Sequence, residues 1–157
     1  MASGVFRLRV ITPKEVKIDE DVNMLVVHSA LGDMGVLPGH DDYTVLLGFG
    51  PLRIFNVAEE RHMVVLGGTA EIKRDSVTIV TKEARWLHEI RRSDIERELF
   101  ILEQKIQSNE EDYPELSRDE VLLERAQAMM RVASDPALPK DYYSERASAD
   151  LGLSKPS

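Results

Sequence analysis

Leu31-Gly32-Asp33-Met34-Gly35-Val36-Leu37-Pro38-Gly39-His40-Asp41-Asp42-Tyr43-Thr44-Val45-Leu46-Leu47 turns the chain more often than any other stretch. Three glycines and a proline fall within its first nine residues, between aliphatic and β-branched runs. Glycine adopts positive φ without a Cβ clash, and proline fixes φ while removing a donor. Gly32, Gly35 and Pro38-Gly39 therefore read as tight reversals around one short extended piece, Met34–Leu37. A chain that reverses at this interval builds a compact all-β end and leaves no length for a helix.

The flanking sequence keeps this rhythm. Upstream, Phe6–Val10 alternates apolar and charged residues with period two, and Thr12-Pro13 closes it. Lys14–Ile18 is a second piece with Val16 and Ile18 on one face, Asp19-Glu20-Asp21 reads as a solvated acidic turn, and Val22–His28 as a buried strand. Downstream, Gly48-Phe49-Gly50-Pro51 reads as another reversal, followed by extended pieces at Leu52–Val57, His62–Leu66, Thr69–Lys73 and Val77–Thr81. Ala58–Arg61 is a charged hairpin tip. The Gly67-Gly68 pair inside this pattern predicts a bulge or the close approach of another backbone. About ten short strands at regular spacing argue for a β-sandwich or barrel.

After Arg85 the period becomes 3.6. Ser93-Asp94-Ile95-Glu96 has the form of a capping box, and Ile95, Leu99, Leu102 and Ile106 make one helical stripe behind it. Ser108–Leu116 is polar, with Pro114 as a breaker; Ser117-Arg118-Asp119-Glu120 begins a second helix with Leu122, Ala126, Met129 and Ala133 as its stripe. The two stripes predict an antiparallel helical hairpin. Three segments follow: a flattened β-sandwich over 1–87, the hairpin over 88–134, and a proline-bearing tail over 135–157. Within the tail, Tyr142-Tyr143 is an anchor and Ser144–Leu151 a candidate short helix.

Composition narrows the chemistry. The 157 residues carry a net charge of −8, with 10 Lys/Arg against 12 Asp/Glu over 1–88 and 10 against 16 over 89–157. The acidic second half is a poor match for nucleic acid, which needs clustered cations. There is no cysteine, so disulfides and thiolate metal sites are excluded. No apolar run reaches the ~20 residues of a membrane helix. His28, His40, His62 and His88 have no metal-ligand spacing, and each reads as a strand-end or surface residue. Phosphate-loop and nucleophile-elbow motifs are absent, and Gly48-Phe49-Gly50 is followed by Pro51 and a strand, not by the helix a dinucleotide site needs. These residues offer no catalytic constellation, no cofactor site and no metal site; the chain reads as a part that binds other parts.

Thr12-Pro13 after the first strand, Gly32-x-x-Gly35-Val36-Leu37-Pro38-Gly39-His40, Gly67-Gly68 with Glu71-Ile72, and Val77-Thr78-Ile79-Val80 together resemble the epsilon subunit of the F-type ATP synthase. The resemblance runs in register over residues 5–85 and continues in kind to residue 133. It implies a flattened ten-strand sandwich with two C-terminal helices, at the foot of the central stalk. Such a subunit is not itself catalytic; it links the gamma subunit to the ring of c subunits and couples ring rotation to ATP synthesis. By position, Leu31, Gly32, Asp33 and Met34 are then the c-ring contact, and His40, Gly67 and Gly68 the gamma contact. An acidic Asp33 suits cationic partners on polar ring loops, and equally suits an ordinary turn.

The helical half departs from the family. Many bacterial relatives carry I-D-x-x-R-A as a regulatory ATP site, where this chain has Ile90-Arg91-Arg92-Ser93-Asp94-Ile95. Arg91 and Asp94 exchange the charges, which removes the phosphate-binding cation, so no nucleotide site is expected. The resemblance also implies that an extended hairpin restrains ATP hydrolysis by meeting the alpha, beta and gamma subunits. Arg118, Arg125 and Arg131 are the candidates for that contact, weakened by Asp119, Glu120 and Glu124. The tail after Ser134 is a candidate for supplying the inhibitory contact itself. The N-terminus lacks a transit-like character, which points to the cytoplasmic face of a bacterial plasma membrane, with membrane association only through the complex. Two rival readings are a free-standing sandwich adaptor and a jelly-roll metalloenzyme in which His28, His40 or His62 converge.

Overall fold

A computed structural model describes residues 4–108 and 116–135. Ten strands come first: β1 (Phe6–Ile11), β2 (Val16–Val22), β3 (Met24–Ser29), β4 (Gly32–Val36), β5 (Tyr43–Leu46), β6 (Phe49–Phe55), β7 (Glu60–Leu66), β8 (Thr69–Ile72), β9 (Ser76–Val80) and β10 (Ala84–Trp86). They form two five-stranded sheets, ordered β2-β1-β9-β8-β5 and β10-β7-β6-β3-β4. β1 and β9 are parallel, and the other registered pairs are antiparallel. Leu8, Val10, Ile18, Val22, Ile72 and Ile79 of the first sheet and Leu25, Val27, Leu52, Ile54 and Met63 of the second are almost wholly buried, and form the core of this β-sandwich. Period-two alternation produces this, because successive side chains leave a strand on opposite faces.

The chain divides into two compact units, Met1–Arg85 and Trp86–Ser157. In the second, α1 (Arg92–Ser108) and α2 (Leu116–Ala133) pack against each other. Ile95 and Leu102 are buried on α1, as are Ala126 and Met129 on α2, so both stripes fall where the helical period places them. α1 begins one residue before the predicted cap: Arg91 carbonyl accepts from the Asp94 and Ile95 N–H groups, which leaves Ser93 inside the first turn. The predicted breaker at Pro114, the Ser117 side chain, and the tail with Tyr142-Tyr143 and Ser144–Leu151 lie outside the described residues.

Several turns predicted from composition are strand. Asp19-Glu20-Asp21 belongs to β2, opposite Arg9, Leu8 and Arg7 of β1. Arg7 Nε donates to Asp19 Oδ1 at 2.8 Å, and that bond holds the Asp19 carboxyl below its usual range. Glu20 points the other way and pairs with buried Arg61 of β7, tying one sheet to the other. Gly35 sits within β4 opposite Val26, and Gly50-Pro51 within β6 opposite Val65 and Val64, so neither is a reversal. Val16 is 51% exposed while Ile18 is buried, because the register shifts between Val10 and Ile11. One extra residue on a bulged strand reverses its inward and outward phase.

The Gly67-Gly68 expectation matches the structure. Gly68 has φ +106, and a Cβ there would lie 2.1 Å from the Val80 carbonyl oxygen. β8 can leave β7 and cross to the other sheet only because the chain slides against the end of β9 at this point.

Candidate functional site

The β3–β4 hairpin turns through Ala30 and Leu31, and Leu31 is 99% exposed at its tip. Ser29 shapes the turn: its Oγ accepts from the Leu31 N–H at 3.2 Å and donates to the Gly32 carbonyl at 2.6 Å. Gly32 has φ +126, a conformation that favours glycine. Asp33 is exposed and faces His28 across the ladder, with His28 Nδ1 2.7 Å from Asp33 Oδ1. Met34 pairs with Val27 and is half-buried. The hairpin is fastened to β5 and to the residues just after it, since Ala30 N–H donates to the Leu46 carbonyl and Gly48 N–H to the His28 carbonyl.

Gly67-Gly68 lies at this same end. Leu47 N–H donates to the Gly68 carbonyl at 2.9 Å, and Gly67 N–H to the Gly48 carbonyl at 3.3 Å. His40 does not join them. The Pro38-Gly39 turn is tied to the β8–β9 turn by Gly39 N–H on the Arg74 carbonyl at 2.9 Å, and His40 Nδ1 lies 2.6 Å from the Asp41 carbonyl. Tyr43 pairs with Ile72 and Leu46 with Thr69, so β5, roughly 10 Å of strand, separates His40 from the two glycines. The three residues assigned to one partner therefore occupy two ends of one strand pair.

From the Gly67-Gly68 end, across the whole sheet, runs a feature that the sequence reading missed. On the outer face of the first sheet, Val16, Ile11, Val80, Thr69 and Leu46 stand directly opposite one another, strand by strand, from β2 to β5. Val16 is 51% exposed, Val80 52% and Leu46 67%. The rest of this face is polar: Arg7, Arg9, Asp19 and Asp21 are joined in ion pairs, as are Glu71 and Lys73. The row crosses all five strands with an aliphatic side chain on four of them and Thr69 on the fifth, and it ends beside the Leu31 tip; exposed apolar side chains are more often scattered singly. Its sequence signal was the aliphatic run Val45-Leu46-Leu47, where strict alternation would have placed a polar residue at 46.

The remaining histidines do not converge. His62 is wholly buried in mid-β7, contrary to the surface reading, and its Nε2 lies 2.8 Å from Glu60 Oε1. Arg53 of β6 donates to the same oxygen at 2.6 and 3.1 Å. Burial opposes the charged form of Glu60, but the hydrogen bonds from Arg53 and His62 outweigh it and hold the carboxyl below its ordinary range. His28, His40 and His62 thus have three different partners, and among the described residues no cluster is arranged to hold a metal ion.

On the helices, Arg118 and Arg131 are exposed, whereas Arg125 reaches Glu98 of α1 at 2.9 Å and is largely covered. Arg91 and Asp94 are both exposed at the start of α1. No described helix is long and apolar enough to cross a membrane.

A family model described as the ATP synthase delta/epsilon chain beta-sandwich domain matches residues 5–87. The ATP synthase epsilon chain of Caldicellulosiruptor bescii is 30% identical over 132 residues, covering 83% of this chain and 94% of its own. Among solved structures, a chain of the Euglena gracilis mitochondrial ATP synthase, determined with OSCP, F1 and the c-ring, superposes with a TM-score of 0.70. It is 26% identical and covers 80% of this chain and 79% of that one. A chain of the Tetrahymena thermophila mitochondrial central stalk and c-ring shares the fold, with a TM-score of 0.52 at 12% identity over 90% of this chain and 96% of that one.

Proposed function

The chain belongs to the ATP synthase delta/epsilon family, and on that footing we propose that its sandwich joins the gamma subunit to the c-ring through two neighbouring surfaces. As an epsilon chain it is a non-catalytic central-stalk subunit of the F-type ATP synthase. The apolar row Val16–Ile11–Val80–Thr69–Leu46 lies against gamma, and the Leu31–Met34 tip meets the polar loops of the ring. The row carries this reading: four of its five members are aliphatic, it crosses a whole sheet, and it ends where the exposed tip begins. Torque passes between ring and gamma through a β-sandwich whose core is close-packed and therefore stiff. His40 borders the gamma surface from the far end of β5.

The work of the two units follows from the same assignment. The sandwich, residues 1–87, provides the two contacts, and the helical hairpin, residues 88–134, regulates hydrolysis by opening toward alpha and beta. Opening separates the stripes of α1 and α2 and breaks the Arg125–Glu98 pair, so Arg125 becomes available only in the open form. Arg118 and Arg131 are exposed in the closed one. The protein sits at the cytoplasmic face of a bacterial plasma membrane, held there by the complex.

Purification of the tagged full chain from detergent-solubilised membranes tests the assignment. Gamma and c subunits should co-purify, and a stable monomer free of both would refute it in favour of a free-standing adaptor.

A further inference from the structure

Asp33 is the acid at the hairpin tip, and an isolated exposed carboxylate samples several rotamers whose loss on binding opposes contact. Here it is not isolated. His28 stands opposite it in the β3–β4 register, and Nδ1 and Oδ1 are 2.7 Å apart. The ring itself is held from the other side. A Cβ at Gly50 would lie 2.5 Å from His28 Cδ2, 2.7 Å from Cγ and 3.1 Å from Cβ, and one at Gly48 would lie 3.2 Å from Cδ2. These atoms are the root of the histidine side chain, not a free end, so the ring cannot swing clear of a larger residue at position 50. Two glycines in and beside β6 therefore make a floor on which the imidazole has one seat, and from that seat it reaches Asp33.

We propose that His28 is a positioning residue for the ring contact: seated on Gly48 and Gly50, it donates Nδ1–H to Asp33 and presents that carboxylate beside Leu31. The inference rests on the tip being the c-ring contact, and it adds what orients the acid there. It also gives Gly50 a purpose, which is to leave room for the imidazole. The hydrogen bond fixes the tautomer, since the ring nitrogen that donates to a carboxylate must carry the proton.

Nitrogen-15 NMR of the histidine rings in the full chain, at about pH 8 where an ordinary imidazole is neutral, reads this directly. His28 should carry its proton on Nδ1, and should lose that preference in both Asp33→Ala and Gly50→Ala. A wild-type His28 protonated on Nε2 overturns the proposal. In the assembled complex, His28→Ala should lower proton-driven ATP synthesis roughly fivefold, the scale of one hydrogen bond, and His28→Asn, which keeps a donor, should restore part of it. Adding His28→Ala to Asp33→Ala should cost nothing further. If Asp33→Ala impairs synthesis and His28→Ala does not, the positioning role falls while the ring contact stands. If Asp33→Ala has no effect, both fall together.

Discussion

Truncating the apolar row at Leu46 and Val80 tests whether that row is an interface. Leu→Ala removes three carbons and Val→Ala two, each worth about 0.8 kcal/mol when moved out of water. Leu46 is 67% and Val80 52% exposed, and only that fraction is left to be buried by a partner. The contributions are then about 1.6 kcal/mol for Leu46 and about 0.8 kcal/mol for Val80. The double variant Leu46→Ala/Val80→Ala should bind gamma about 2.4 kcal/mol more weakly, roughly fiftyfold in Kd. The fold should hardly notice, since surface truncations of this kind cost within about 0.5 kcal/mol. Titrating the labelled full chain into a gamma-containing F1 that lacks this subunit gives the Kd, and a urea melt gives the stability. Thr44→Ala, on the polar part of the same face, is the control and should leave Kd unchanged. A double-variant Kd within about threefold of wild type, at unchanged stability, would refute the reasoning.

Other perturbations separate structural from contact roles. Gly68→Ala combines positive φ with a clash against the Val80 carbonyl and should cost about 3 kcal/mol or more, whereas Gly67→Ala meets only the Phe49 ring edge at 3.2 Å and should cost about 1 kcal/mol; equal urea midpoints would contradict the close approach. Because the Glu60 carboxyl is held below its ordinary value of 4.5, its contribution to stability is fully present above that pH and is lost as pH falls through the lowered value. Glu60→Gln should therefore flatten the acid limb of the stability profile, and an unchanged limb would place the pH dependence elsewhere. With Arg91 and Asp94 exchanged relative to the family motif, calorimetric titration of ATP into the millimolar range should show no saturation.

The parts of this fold that were legible in sequence depend on local rules. Phe6–Val10 alternates because its neighbours bury one face, and Ile95, Leu99, Leu102 and Ile106 recur at the helical period for the same reason. Gly67-Gly68 announced a close approach because few other causes place two glycines inside a strand pattern. What was missed depends on partners distant in sequence. Asp19-Glu20-Asp21 resembles a solvated turn until Arg7, Arg9 and Arg61 are placed beside it, and those arginines turn an acidic run into strand. Gly50 resembles turn punctuation until His28 lies across it. The apolar row was hidden by parity: the bulge in β2 turns Val16 outward against the alternation that put it with Ile18, and the row exists only once five strands are in register. The resemblance pointed to residues by their position in the chain and said nothing of their neighbours in space; the structure sets Gly67-Gly68 beside the Leu31 tip and His40 apart.

Because the chain contains no cysteine, a single introduced thiol is the only one this subunit carries, and the complex with the unaltered chain supplies the background. Leu31→Cys and Val80→Cys, each carried through the assembled membrane complex and treated with a short bifunctional crosslinker, test the two-surface account most directly. Leu31→Cys should join a c subunit and Val80→Cys should join gamma. A Val80→Cys thiol that stays freely reactive to maleimide in the intact complex, or a Leu31→Cys crosslink to gamma alone, would contradict it.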